Sequence, residues 1–213
     1  MILLAIETSG DPCSVAVSKD GVVIAETRFE HERRLAERLP EMIEATCLEA
    51  RVDLPDVSVL AAGIGPGSFT GVRVAVATTK AWAWGSGLPV IGVPGFEAMA
   101  ESLGSERAMV GLAPCRRGEA IVWLGADDYR VLALDSVVES VREQLGTGAV
   151  LAFGEAARWL IPVPQWDVLP RGPWASEIAR SAHRRWMEGA RPGPGELAPL
   201  YGAPPPIREG LVP

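Results

Sequence analysis

The chain has 213 residues, 48% of them hydrophobic and 22% charged, and carries a formal net charge of −7. This is the composition of a folded globular protein and not of a disordered chain, and the length admits one large domain or two small ones. The acidic balance argues against a protein that grips a nucleic-acid backbone by itself, because phosphate contacts need a basic surface. Ile2 to Ile6 is a short apolar strand, and Thr8-Ser9-Gly10-Asp11-Pro12 after it is a dense turn signal. Cys13 to Ser18 alternates as a half-buried strand does, Asp20-Gly21 suits a tight hairpin, and Val22 to Phe29 reads as a third strand. Leu35, Leu39, Met42, Ile43 and Cys47 line one face of a helix. Pro40 falls within that pattern and predicts either a kink or a start in the first turn.

Val57 to Gly63 reads as a continuous apolar strand, Ser68 to Trp84 as a helix, Pro89 to Val93 as a strand and Phe96 to Leu103 as a helix. The order then begins again. Strands are predicted at Ala108 to Ala113, Ala120 to Leu124 and Arg130 to Leu134, followed by a helix at Val137 to Leu145 and a strand at Ala149 to Phe153. A short helix at Glu155 to Leu160, a strand at Trp166 to Leu169 and a helix at Trp174 to Glu188 complete the second set. Each half reads βββαβαβα without sequence identity between the two, and such repeated units can face each other across a cleft. The expected division is 1–104, 105–191 and a Pro-rich tail at 192–213, which holds seven of the 18 prolines. In that tail only Glu196 to Tyr201 is expected to form structure, and the rest to lie on the surface.

No apolar run approaches the roughly 18 residues of a membrane span. The run Met1 to Ile6 stops at Glu7 with no basic segment before it, so no signal peptide is predicted and the expected location is the cytoplasm. The three cysteines, Cys13, Cys47 and Cys115, lack metal-ligand spacing and fit a reducing compartment. The two histidines, His31 and His183, leave little material for a metal or general-base site. No metal, cofactor or catalytic residue is therefore expected.

The most informative segment is Gly65-Pro66-Gly67-Ser68-Phe69-Thr70-Gly71-Val72-Arg73, which joins a strand to a helix. Its glycines allow a tight turn, Ser68 is a good N-cap, and Gly71 costs roughly 1 kcal/mol in the first helical turn, which a close approach by another backbone or a ligand should offset. Two readings follow, an anion site at the helix N-terminus or a glycine-lined packing edge. The run lacks the ending of a P-loop and the spacing of a dinucleotide fingerprint. The helix it opens is apolar nearly all round, so it is either buried on all sides or, as is expected in a chain of this size, turns one face to another protein. Trp82 and Trp84 point to different sides of it. One should be core and the other an interface anchor, and the sequence leaves open which.

The turn Leu4-Ala5-Ile6-Glu7-Thr8-Ser9, the strand Cys13-Ser14-Val15-Ala16-Val17 and above all the run Gly65 to Arg73 closely resemble the bacterial TsaB family, also called YeaZ. His31 to Pro40 resembles the family's first helix, Arg116-Arg117-Gly118-Glu119 its Arg-x-Gly-Glu turn, and Pro199-Leu200-Tyr201 its C-terminal Pro-x-Tyr element. The resemblance implies the actin/Hsp70/sugar-kinase (ASKHA) fold, an α/β fold of two ribonuclease-H-like halves. It implies an accessory role in making N6-threonylcarbamoyladenosine at position 37 of tRNA. The catalytic paralogue TsaD would be the partner and the ATPase TsaE would join them. tRNA would be contacted only through the complex, and the chain alone would form a homodimer. The implied contact is a helix bundle built from about Arg33 to Ala50 and Ser68 to Trp84. The residues expected there are Leu35, Leu39, Pro40, Ile43, Gly67, Ser68, Phe69, Thr70, Gly71, Arg73, Val76, Ala77 and Lys80. An aspartate at Val76 or Ala77 would then be expected to spare the fold and break the contact.

Glu7, Thr8, Ser9 and Asp11 would be a vestigial phosphate loop. The fold's ATP-using members also place an acidic residue at the first turn of the second half, where this chain has Pro114. The competing readings are a stand-alone ATPase or kinase of the same fold, supported by Glu7 to Asp11, and a metallopeptidase, opposed by the histidine count.

Overall fold

The computed structural model describes residues 1–30, 34–160 and 162–202. The first three strands, β1 (Ile2–Glu7), β2 (Cys13–Lys19) and β3 (Val22–Phe29), form the expected antiparallel meander. Helix α1 (Leu35–Ala50) leads to β4 (Val59–Gly63), α2 (Phe69–Ser86) to β5 (Val90–Val93), and α3 (Gly95–Leu103) closes the set. β4 and β5 join parallel to β1, giving a sheet of order β3-β2-β1-β4-β5. A second sheet repeats this connectivity with β6 (Ala108–Pro114), β7 (Glu119–Trp123), β8 (Tyr129–Ala133), α4 (Val137–Leu145), β9 (Val150–Phe153) and β10 (Trp166–Leu169), in the order β10-β9-β6-β7-β8. A 3-10 turn at Glu155–Leu160 stands where the first set has α2, and α5 (Ala175–Met187) ends the series. The two sheets of one connectivity are the ASKHA architecture.

Alternation along the central strand sorts the core into layers. Leu4 and Ile6 of β1 face α1 and α2, packing with Leu39, Ile43, Cys47, Val72, Ala75 and Val76. Leu3 and Ala5 face the other way, with Ala16, Val59, Ala61, Ile91 and Val93, and what covers them is α5, through Ala175, Ile178, Ala179 and Ala182. This last helix, grouped with the second half on sequence order, thus packs on the first sheet. The reason is steric. The small residues of that sheet face admit the alanine stripe of α5. The helix entry is also fixed there, since Ala175 N–H donates to Ser14 Oγ (2.7 Å) and Ser176 N–H to Glu26 Oε1 (2.8 Å). Just ahead of α5, the Trp174 ring is sandwiched between the guanidinium groups of Arg28 (3.4 Å) and Arg171 (3.8 Å). α3 bridges the sheets, with Phe96 edge-on to Phe153 at 5.6 Å.

The structure chooses between the two readings of Pro40. α1 begins at Leu35, ahead of Pro40, so the proline lies inside the helix and not in its first turn. Both Pro40 and Ala36, whose carbonyl loses its intrahelical donor, are exposed, so water can satisfy that oxygen. Two arginines of α5 are engaged in ion pairs: Arg184 with Glu101 and Glu188, and Arg185 with Glu97 at 2.8 Å. His31 and Arg33 lie outside the described residues, as does the tail beyond 202. The described part of that tail is anchored. Leu197 is buried in the core beside α2, and Leu200 N–H donates to Ile64 O (2.8 Å).

Val76 is only 5% exposed and sits in the core under α2. Val76→Asp, expected from the sequence to spare the fold, is therefore now expected to unfold the protein. A buried unpaired carboxylate costs on the order of 4 kcal/mol, much of a domain's whole stability. Loss of the cooperative thermal transition in circular dichroism is the check.

Candidate functional site

Two regions bring the singled-out residues together. The first is the cleft between the sheets. β1 delivers Glu7 to its floor, completely buried. Its Oε1 accepts from Ser9 N–H at 2.6 Å, while its Oε2 has no hydrogen-bond partner among the described residues. Burial pushes the Glu7 carboxyl up to about 7, against which the Ser9 hydrogen bonds pull and to which the charges of Glu177 and Glu155 add. Gly63 leaves the space this side chain fills. Thr8 Oγ1 donates to Gly71 O at 2.7 Å.

The glycine run closes over the same turn. Ser68 caps α2 as expected, accepting from Gly71 N–H at 3.2 Å, and its own N–H donates to Ser9 O at 2.7 Å. A side chain on Gly67 would strike the Ser9 backbone. The close approach that the glycines permit is therefore to the β1–β2 turn, which favours the packing edge over the anion site. From the other side, Asp11 N–H donates to Glu155 Oε1 at 2.5 Å. The space left among Ser9, Gly67, Phe96, Pro114, Glu155 and Pro173 is about 10 Å³, at most one water. Among the described residues no group of three or more His, Cys, Asp or Glu is placed to hold a metal ion, and no helix is long and apolar enough to cross a membrane.

The second region is the outer surface of α1 and α2. The structure divides the predicted contact residues into two sets. Leu35, Leu39, Ile43 and Val76 are core, and Gly71 is buried with its carbonyl held by Thr8. Gly67 and Ser68 are engaged with the β1–β2 turn. Pro40, Phe69, Thr70, Arg73 and Ala77 are exposed, and Lys80 is half-buried. Phe69, Thr70, Arg73 and Ala77, with Ala36, Val74 and Thr78, line a groove of about 370 Å³ between the helices. The regular stripe Leu35-Leu39-Ile43 is the face that the helix turns to its own sheet, and periodicity finds that face first.

Sequence reasoning missed the contribution of the C-terminal segment here. Tyr201 stacks on Phe69 at 5.1 Å and accepts from Arg73 Nε–H at 2.9 Å, and Arg73 lies 3.7 Å over the Phe69 ring. Lys80 Nζ donates to Leu197 O at 3.1 Å and lies 5.4 Å from the Trp84 ring. The likeness of Pro199-Leu200-Tyr201 to a family element was the available signal. Of the two tryptophans in α2, Trp84 is the exposed one, at 66%, and Trp82 packs against the core.

Comparison with known proteins bears on both regions. The family model described as "TsaD: tRNA N6-adenosine threonylcarbamoyltransferase" matches residues 21–155. The Escherichia coli protein named tRNA threonylcarbamoyladenosine biosynthesis protein TsaB is 32% identical over 170 residues, 72% of each chain. The solved structure of YeaZ from Pseudomonas aeruginosa superposes with a TM-score of 0.77 at 25% identity, over 94% of this chain and 99% of that one. Component A of (R)-2-hydroxyglutaryl-CoA dehydratase from Acidaminococcus fermentans gives a TM-score of 0.52 at 9% identity over 88% of this chain and 99% of that one, a likeness of fold alone. On the length and identity of these matches, the chain belongs to the TsaB/YeaZ family.

Proposed function

We propose that this chain works in the synthesis of N6-threonylcarbamoyladenosine in tRNA as a non-catalytic subunit that binds and supports TsaD. The observation that carries this reading is the second face of α2. Phe69, Ala77 and Trp84 are exposed on a helix whose opposite face is already core, and the groove that Phe69 and Ala77 help to line offers room for a facing helix. The partner surface is the exposed set Pro40, Phe69, Thr70, Arg73 and Ala77, with the half-buried Lys80 and with Tyr201. The closed cleft supports placing the chemistry elsewhere, because about 10 Å³ cannot admit a nucleotide. TsaE joins the assembly, tRNA meets the chain only through it, and without TsaD the same helices pair two copies.

The test is reconstitution. TsaD, TsaE and the threonylcarbamoyl-adenylate supply are expected to modify tRNA only when this chain is added, and equal modification without it would refute the role. The purified chain alone is expected to show no sustained ATP hydrolysis.

A further inference from the structure

Arg73 is an ordered guanidinium without a counter-charge. Arg130, Arg171, Arg184 and Arg185 each pair with a carboxylate of this chain. Arg73 is exposed and makes no ion pair among the described residues, yet its position is fixed. Phe69 and Arg73 are four residues apart in α2, which brings their side chains together on one face. The guanidinium lies 3.7 Å over the Phe69 ring. Tyr201 completes the clamp, with its ring 5.1 Å from that of Phe69 and its Oη accepting from Arg73 Nε–H at 2.9 Å. The tyrosine is brought there by the burial of Leu197 and by the bond from Leu200 N–H to Ile64 O at 2.8 Å. Arg73 thus spends its Nε–H on a neutral oxygen. Its Nη groups and the hydroxyl hydrogen of Tyr201 remain as donors. Among the described residues no acidic side chain lines the groove on which they stand.

We propose that Arg73 and Tyr201 form a carboxylate anchor at this groove, which takes an aspartate or glutamate side chain from the partner helix that faces α2. The inference rests on the partner reading and names the group by which the partner is recognised. A guanidinium fork matches a carboxylate in geometry and charge. Because the aromatic clamp sets the fork before the partner arrives, little side-chain freedom is lost on binding. The net charge of −7 opposes a nucleic-acid backbone, which brings many phosphates at once, far more than it opposes one carboxylate delivered by a protein. Arg73 is the contact in this arrangement, and Tyr201 is a positioning residue that holds it.

The test is the affinity for TsaD measured without tRNA, for variants whose thermal transition matches the unaltered chain. Arg73→Ala is expected to raise Kd about tenfold to a hundredfold. Arg73→Lys keeps the charge but neither the fork nor the stacking, and is expected to recover only a small part of this. Tyr201→Phe keeps the ring against Phe69 and is expected to raise Kd about threefold to tenfold alone, and to add nothing to Arg73→Ala, which a merely structural role would not produce. Arg73→Glu is expected to lose binding, and to regain it with one member of a set of TsaD variants that each carry a single surface Asp→Lys or Glu→Lys change. Ala77→Asp is the control. Its loss of binding beside an unchanged Kd for Arg73→Ala would refute the anchor and leave the partner surface standing, whereas full binding by Ala77→Asp would remove the surface and the anchor with it. Rescue by no TsaD variant would refute the carboxylate. A loss in Arg73→Ala seen only when tRNA is present would assign the fork to an RNA phosphate and overturn the proposal.

Discussion

Ala77→Asp is expected to abolish capture of TsaD while leaving a folded protein. Ala77 is exposed in the middle of α2, so the free chain bears only the weaker helix propensity of aspartate, roughly 0.5 kcal/mol. Against a facing helix the same carboxylate loses its water without gaining a partner. That costs about 3 kcal/mol or more, roughly a hundredfold in Kd. The neighbouring position gives the contrast. Val76 is one residue and about 100° away around the helix, and there the same change is expected to destroy the fold. A pull-down with TsaD, read beside the thermal transition of each variant, distinguishes the two. Sedimentation adds a second readout: the unaltered chain is expected to self-associate at micromolar concentration, and Ala77→Asp to be monomeric. Full TsaD binding by the Ala77 variant would remove α2 from the interface.

The stability of the protein is expected to fall between pH 4.5 and 7 on account of Glu7 alone. The fold raises this carboxyl from 4.5 to about 7, so the native state favours its protonated form. The contribution is fully present below the unfolded value of 4.5 and is lost as pH rises through the folded value near 7. The shift corresponds to about 3 kcal/mol above neutrality, the cost of a carboxylate held away from water. Glu7→Gln keeps an oxygen for the Ser9 amide and carries no charge at any pH. It is expected to exceed the unaltered protein in stability at pH 8 by up to about 3 kcal/mol and to lose that advantage by pH 4.5. Urea unfolding of both proteins across this range isolates the contribution of Glu7, because the other titrating groups are common to them. Parallel curves would show that the charge on Glu7 is tolerated in the fold.

The order of strands and helices was legible because each element carries its own period. The alternation in Cys13 to Ser18 and the fourfold spacing in Leu35-Leu39-Ile43 need no knowledge of the rest of the chain. Glycines and Ser68 likewise announced a capped helix after a tight turn. What periodicity does not give is which apolar face meets solvent. On α1 the visible stripe was the core, and on α2, apolar on both sides, Val76 and Ala77 read alike although one is buried and the other open. Contacts between distant segments were equally hidden. Glu155 stands 144 positions from Asp11, and Leu197 lies in a proline-rich stretch with no helical or strand period, yet one bridges the cleft and the other enters the core.

The return of α5 to the first sheet bears on how the chain is made. Strands β1 to β5 leave the ribosome first, but the helix that covers Leu3, Ala5, Ala16, Val59, Ala61, Ile91 and Val93 emerges only after the second sheet has been synthesised. For most of translation one broad apolar sheet face waits uncovered, so the two sheets cannot mature in sequence as independent folding units. The boundary near Gly104 divides the strands but not the covering helix, and a nascent chain stalled there presents a surface that chaperones bind.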